Sequence, residues 1–144
     1  MSISVVPLPS TIAKRAEPEE VRVHDEGGAP LRCCLRDSRP GERLALVRVA
    51  PPGPTGPYAE TGPVFLHADG CDGPEDAGYP ADFEARTQVL RCYGHDGRIL
   101  GGEVAPAGSD HLALAERLLA DEDVAFVHTR NVVFGCYMLT LRRA

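Results

Sequence analysis

The cysteines and histidines pose the first chemical question. His67 and Cys71 are spaced H-x3-C, and Cys92 and His95 are spaced C-x2-H. Thiolate and imidazole are the usual zinc donors, and a short spacer lets both members of a pair reach one ion, so two such pairs could supply a tetrahedral N2S2 shell. Both pairs run in the reverse order to the common fingers, and nothing in the sequence makes their segments neighbours. No metal ligand and no cofactor are therefore assigned, and a small metal-binding protein is kept as an alternative. Cys33 and Cys34 are adjacent. On a strand, adjacent side chains point to opposite faces, which predicts one buried thiol and one partly exposed thiol with no shared role.

A second constellation could do acid–base or thiol chemistry. Cys136 follows Gly135 at the start of a strand, and His128 ends the strand before it. If those strands form a hairpin, the imidazole could raise the thiolate fraction of Cys136, with Glu60 or Asp37 orienting the ring. The competing reading of Cys136 is a small buried apolar side chain. Glu60 follows a proline loop, in a place that favours binding residues, and could serve as general base. Tyr58 beside it would line the same pocket or anchor the loop. Over 124–131, alternation puts Val124, Phe126, His128 and Arg130 on one face. A face that turns from apolar to His and Arg could form the mouth of a pocket, where Arg130 and Arg91 would orient a carboxylate or phosphate. The alternative is the solvent side of a half-exposed sheet. Asn131, before a tight connection, is expected to cap a turn.

Periodicity gives the elements that must position these groups. Short apolar or alternating runs predict strands over 3–8, 21–23, 42–50, 64–68, 88–93, 98–104, 124–129 and 136–141, and the short run 31–35 could be a strand as well. A turn cluster at 25–28 closes the second of these, and Asp96-Gly97 marks a hairpin. Four prolines and two glycines over 51–57 exclude strand and helix there. Ser109 is expected to cap the main helix, 110–120, and shorter helical pieces are expected at 11–15 and 81–86. The fold class is α+β: a mainly antiparallel, twisted sheet of about seven or eight short strands with one main helix packed on it.

Length and charge narrow the function classes. The 144 residues make one domain, 1–144, by length. The net charge of −6 argues against nucleic acid as a partner. Lys14 is the only lysine against fourteen arginines. The N-terminus has no basic-then-apolar signal pattern, and no apolar run has the length of a membrane span. Five cysteines, an odd number without a secretion signal, predict free thiols in a reducing, cytoplasmic setting.

Several stretches resemble a family of bacterial proteins, domain of unknown function 1203. They are 56–65 (GPYAETGPVF), Arg91-Cys92-Tyr93 with Asp96-Gly97-Arg98-Ile99, and Val127-His128-Thr129-Arg130-Asn131 with Gly135-Cys136. Cys34-Leu35-Arg36-Asp37 and Pro40-Gly41-Glu42 also fit, so the resemblance runs from about residue 31 to the end. It implies a common plan for these residues and no established activity. Cys92 and His95 depart from the small or acidic residues that it implies there.

The leading expectation is a small-molecule site for an anionic or carbonyl metabolite. His128, Cys136 and Glu60 are the catalytic candidates, and Tyr58, His67, Arg91, Arg130 and Asn131 line the site. A non-catalytic interaction module or homodimer is the alternative from another class, with Val132-Val133-Phe134 as its contact surface.

Overall fold

The alternating run after Pro40-Gly41 forms the longest strand of one sheet, β5 (Glu42–Val49), with Leu44, Ala45, Val47 and Val49 buried. The structure is a computed structural model that describes residues 1–17, 20–24 and 26–144, for His24 the backbone only. The turn expected at 25–28 therefore falls partly, at Asp25, outside the described residues. The other strands are β1 (Ile3–Val6), β2 (Val21–His24), β3 (Pro30–Leu31), β4 (Arg36–Asp37), β6 (Gly62–His67), β7 (Gln88–Gly94), β8 (Ile99–Ala105), β9 (Val124–Asn131) and β10 (Tyr137–Arg143). The helices are α1 (Ala81–Glu84) and α2 (His111–Leu119), with 3-10 turns at Ser10–Arg15 and Gly56–Tyr58.

The expected single sheet is corrected: the described residues form two five-stranded sheets. Sheet I has the order β2-β5-β6-β3-β4 and sheet II the order β1-β10-β9-β7-β8. Every pairing is antiparallel except β3 with β6. Alternation tells which face of a strand is buried but not which strand lies beside it. β1 leaves its sequence neighbours and pairs with the last strand, Ile3 opposite Arg143.

Two apolar cores follow. The first gathers Leu31, Leu44, Ala45, Val47, Val64 and Leu66 of sheet I with Leu8, Ala13 and, from sheet II, Tyr137. The second lies between sheet II and α2. There Leu114, Ala115 and Leu119 meet Leu90, Val127, Met138 and Leu141, with Phe83 from α1 and Leu35. The helix starts one residue later than expected. Asp110 is the N-cap, its Oδ1 accepting from Ala113 N at 2.9 Å, while Ser109 Oγ donates to Pro106 O. A carboxylate also complements the positive end of the helix dipole, which favours Asp over Ser.

The proline loop after β5 covers sheet II. Pro52 O accepts from His128 Nε2 at 2.8 Å, and Thr55 Oγ1 donates to Asp96 O at 3.1 Å. Gly53, with φ +111°, lies so close to the Phe126 ring that a Cβ would stand 2.3 Å from its Cζ. Gly53→Ala therefore must push the loop off the ring as well as hold a strained φ. The expected loss of stability is about 2–4 kcal/mol. Gly56→Ala, at φ +62° with nothing within 4 Å of its Cβ, is expected to cost about 1 kcal/mol. Urea unfolding of the two variants beside the parent measures the difference.

Candidate functional site

The segment 31–35 is not the strand that its apolar residues suggest. After Pro30–Leu31 the chain curls, Leu35 N donating to Leu31 O at 2.9 Å, and Leu35 takes φ 58°. Pairing with β6 continues through Arg32 N to Phe65 O at 3.0 Å. The curl overturns the expectation that Cys33 and Cys34 face opposite ways. Both Sγ atoms lie 3.8 Å from His67 Nδ1, at the end of β6. Cys71 joins them from the loop that follows. The Cys33, Cys34 and Cys71 sulfurs and one His67 ring nitrogen all lie within 4.8 Å of one another. Edges of a tetrahedral zinc shell are about 3.8 Å between sulfurs at ordinary zinc–sulfur lengths. All five cysteines of the chain are free thiols.

His67, Cys33 and Cys71 each have a supporting hydrogen-bond partner beyond the cluster's donor atoms. His67 Nε2 is 2.7 Å from Glu42 Oε2. Glu42 in turn accepts a bidentate pair from Arg36, at 2.9 and 2.8 Å, and the Arg39 amide at 2.5 Å. The Arg36 guanidinium holds the Glu42 carboxyl well below the usual carboxylate range, so it stays an acceptor. With a proton on Nε2 donated to Glu42, the Nδ1 lone pair faces the sulfurs, the arrangement by which carboxylates orient metal-binding imidazoles. Backbone amides support the sulfurs: His67 N donates to Cys33 Sγ and Gly73 N to Cys71 Sγ, both at 3.4 Å. Hydrogen bonding from the Cys33 thiol lowers Cys34 to about 6 against the opposing effect of burial, with help from His67 and Arg36. Cys33 is pushed up correspondingly, and burial raises Cys71. A cavity of about 660 Å³ opens on Cys34, His67 and Cys71, with Leu35, the loop before α1 and the first residues of α1 around it.

The other candidates sort elsewhere. Cys92 is buried in the core under α2, and His95, on the β7–β8 hairpin, donates through Nε2 to Glu122 O in the turn before β9. Neither joins His67 and Cys71. Their places in the thiol cluster are taken by Cys33 and Cys34, whose signal was a vicinal pair about thirty residues before His67-x3-Cys71. Glu42 and Arg36 lay within the stretches that carry the family resemblance, but nothing in the sequence joined them to His67. Asp37 pairs with Arg86 at 2.7 Å.

Glu60, Arg91 and Arg130 do come together. Arg130 Nη2 donates to Glu60 Oε1, Arg91 Nη1 stands 3.7 Å from the same oxygen, and Arg130 Nη1 donates to Gly135 O at 2.9 Å. The face carrying His128 and Arg130 is buried, at 0% and 6% exposure, rather than facing solvent. Asn131 does not cap a turn with its side chain; its Oδ1 accepts from Gln88 Nε2 at 3.0 Å across the strands. Tyr58 is partly exposed at the end of its 3-10 turn. Glu60, Arg130 and Cys136 border a cavity of about 200 Å³, separate in its lining from the larger one. Val133 and Phe134 stand exposed at the tip of the β9–β10 connection.

His128 and Cys136 are not a pair. Asn131 N donates to Cys136 O, whereas His128 lies opposite Thr140. That register puts them three strand positions apart, about 10 Å, and on opposite faces. His128 is enclosed by the rings of Tyr93, Phe126 and Tyr137, with centroids at 4.7, 5.1 and 4.9 Å. Cys136 Sγ makes its contact with Phe134 O.

The sequence of this site and its strands matches a family described as Protein of unknown function (DUF1203), over residues 28–143. The chain belongs to that family. The match takes in the thiol cluster, the Glu42–Arg36 pair and both cavities. No curated protein and no solved structure matches the chain. Among the described residues, no helix is long and apolar enough to cross a membrane.

Burial lowers His128 to about 4, against a smaller opposing effect of its bond to Pro52. An unfolded histidine takes its proton near 6.5, so between these values the unfolded chain binds the extra proton. Stability from this residue is then fully present above about pH 6.5 and is lost as pH falls toward 4. The expected loss across that window is about 3 kcal/mol. Urea midpoints between pH 7 and 4.5 measure it, and His128→Gln should flatten that dependence.

Proposed function

We propose that this DUF1203 protein is a metal-binding protein whose centre is Cys33, Cys34, His67 and Cys71, taking a thiophilic divalent ion of the zinc class. The observation that carries the reading is the convergence of three sulfurs and one imidazole nitrogen within 4.8 Å, on a histidine whose other nitrogen is already held by Glu42. Three thiolates with one neutral imidazole form a soft, strongly donating set, which suits zinc, cobalt(II) or iron(II) and not magnesium or calcium. A divalent ion there would leave one net negative charge. Arg36, next to His67 at 3.3 Å, lies where it offsets that charge.

The small-molecule reading favours the larger cavity. At Arg130 the position of a ligand carboxylate is already filled by Glu60, so the smaller pocket offers an anion an ion pair only by displacing that residue. The cavity of about 660 Å³ is of ordinary ligand size, and its wall contains Cys34, His67 and Cys71 of the proposed centre. A metal would supply Lewis acidity to whatever occupies it, and the chain's own residues hold and orient the donors.

Protein purified in reductant without chelator is expected to carry or take up one zinc or cobalt per chain, read by native mass spectrometry and elemental analysis. Cys34→Ser and His67→Ala should each abolish stoichiometric binding. Glu42→Gln should keep the fold and weaken zinc by about 10–100-fold in chelator competition. A parent chain that retains neither metal when both are supplied would sink the reading.

A further inference from the structure

We propose that Cys71 is an exchangeable arm of this centre, and that the position it vacates is taken by a small-molecule thiol entering through the cavity. The inference rests on the metal reading above and adds which ligand moves and what replaces it. The four donors are held unequally. Cys33 and Cys34 sit in a turn closed by the Leu35–Leu31 hydrogen bond and tied to β6 through Arg32 N and Phe65 O. They are 2% and 9% exposed. His67 ends a strand and is clamped through Nε2 by Glu42.

Cys71 has no such frame. It lies in the irregular segment between β6 and α1 and is half-buried. Gly70 and Gly73 flank it at φ +107° and +89°, each with nothing within 4 Å of a Cβ position. Its sulfur is held by the amide of Gly73, in the same loop. Two glycines in open space give the loop backbone freedom, and Cys71 is only half-buried at the margin of the first core, so it gives up less packing on leaving than the buried Cys33 or Cys34 would. Cys71 also lines the cavity together with Cys34 and His67, whereas Cys33 does not. A solute in the cavity therefore meets the metal from the side of the loosest ligand. Three framed donors and one replaceable position are the pattern of metal centres that accept exogenous ligands.

A thiol is the class that exchange favours. The incoming R–SH gives its proton to the Cys71 sulfur as that sulfur leaves, and R–S⁻ takes the coordination position. One metal–sulfur bond breaks and one forms. No electron is transferred, and the net charge beside Arg36 is unchanged. A neutral donor would alter that charge, and a hard anion would replace a soft donor by a poorer one.

The test uses the full chain loaded with cobalt(II), whose thiolate charge-transfer bands report the number of bound sulfurs, with 2-mercaptoethanol as the probe. Cys71→Ser is expected to hold one cobalt per chain with about two-thirds of the parent's charge-transfer intensity, for two sulfurs in place of three. Added 2-mercaptoethanol should restore the parent intensity. In the loaded parent, excess 2-mercaptoethanol should make Cys71 reactive to iodoacetamide at least tenfold faster than Cys33 or Cys34. If a folded Cys71→Ser loses cobalt as Cys34→Ser does, Cys71 is an obligate ligand. The arm is then refuted while the metal reading stands. Unrestored intensity, or no selective Cys71 alkylation in the parent, also overturns it. A parent chain that takes up no cobalt removes both readings together.

Discussion

One backbone hydrogen bond, Leu35 N to Leu31 O, organises the chemistry of this protein. It turns an apolar pentapeptide that could have continued as a strand into a curl, and Leu35 accepts a left-handed φ of 58° to complete it. An ordinary residue in that region costs free energy, and burial offsets it. Leu31 packs in the core of sheet I and Leu35 in the core under α2. Between them Arg32, 2% exposed, donates to Tyr137 O on sheet II and to Pro30 O. Among the described residues no carboxylate lies within ion-pair distance of it. Burial lowers it to about 10, so it remains a cation that joins the two sheets through carbonyl oxygens. Cys33 and Cys34 are delivered to one side because the residues on either side of them are anchored.

The same economy of partners explains why the polar face of β9 is buried without being an obvious active site. His128 gives its Nε2 proton to the proline loop and Arg130 is neutralised by Glu60, while Asn131, on the opposite face, accepts from Gln88. Each of these side chains has a partner for at least one of its polar atoms, while His128 Nδ1 and Arg130 Nε stay buried without one, and the bond from His128 to Pro52 fixes how the loop 51–57 lies on the sheet. Gly53 against Phe126 serves the same closure. By contrast Cys34, one of two adjacent thiols that looked structural, stands in the wall of a ligand-sized cavity.

Much of the fold could be read from local pattern. The strands over 42–49, 88–94 and 124–131 and the helix at 111–119 follow from alternation and from the helical spacing of Leu112, Ala115, Leu118 and Leu119, of which the structure buries Ala115 and Leu119, with Leu114 beside them. The Asp96-Gly97 hairpin follows from the positive φ that glycine supplies, +80° here. The partition into two sheets was not legible. Face alternation is a property of one strand, and neighbour choice is a property of two, separated in the extreme case by the whole chain, as with Ile3 and Arg143.

The candidate site divides along the same line. The sequence by itself determined the supply of donors: five cysteines, and the H-x3-C spacing that puts His67 and Cys71 within reach of one ion, in a chain of net charge −6. It also determined that Glu60, Arg91 and Arg130 had complementary charge. Only the tertiary structure decided which donors meet. Cys33 and Cys34 reach His67 because β3 lies parallel to β6 and the chain curls immediately afterwards. Cys92 and His95 do not, because β7 belongs to the other sheet. The physical reason is range. Spacing governs residues within a few bonds of one another, whereas a shell closed across about thirty residues depends on strand pairing and on the burial of Leu31 and Leu35 in two different cores.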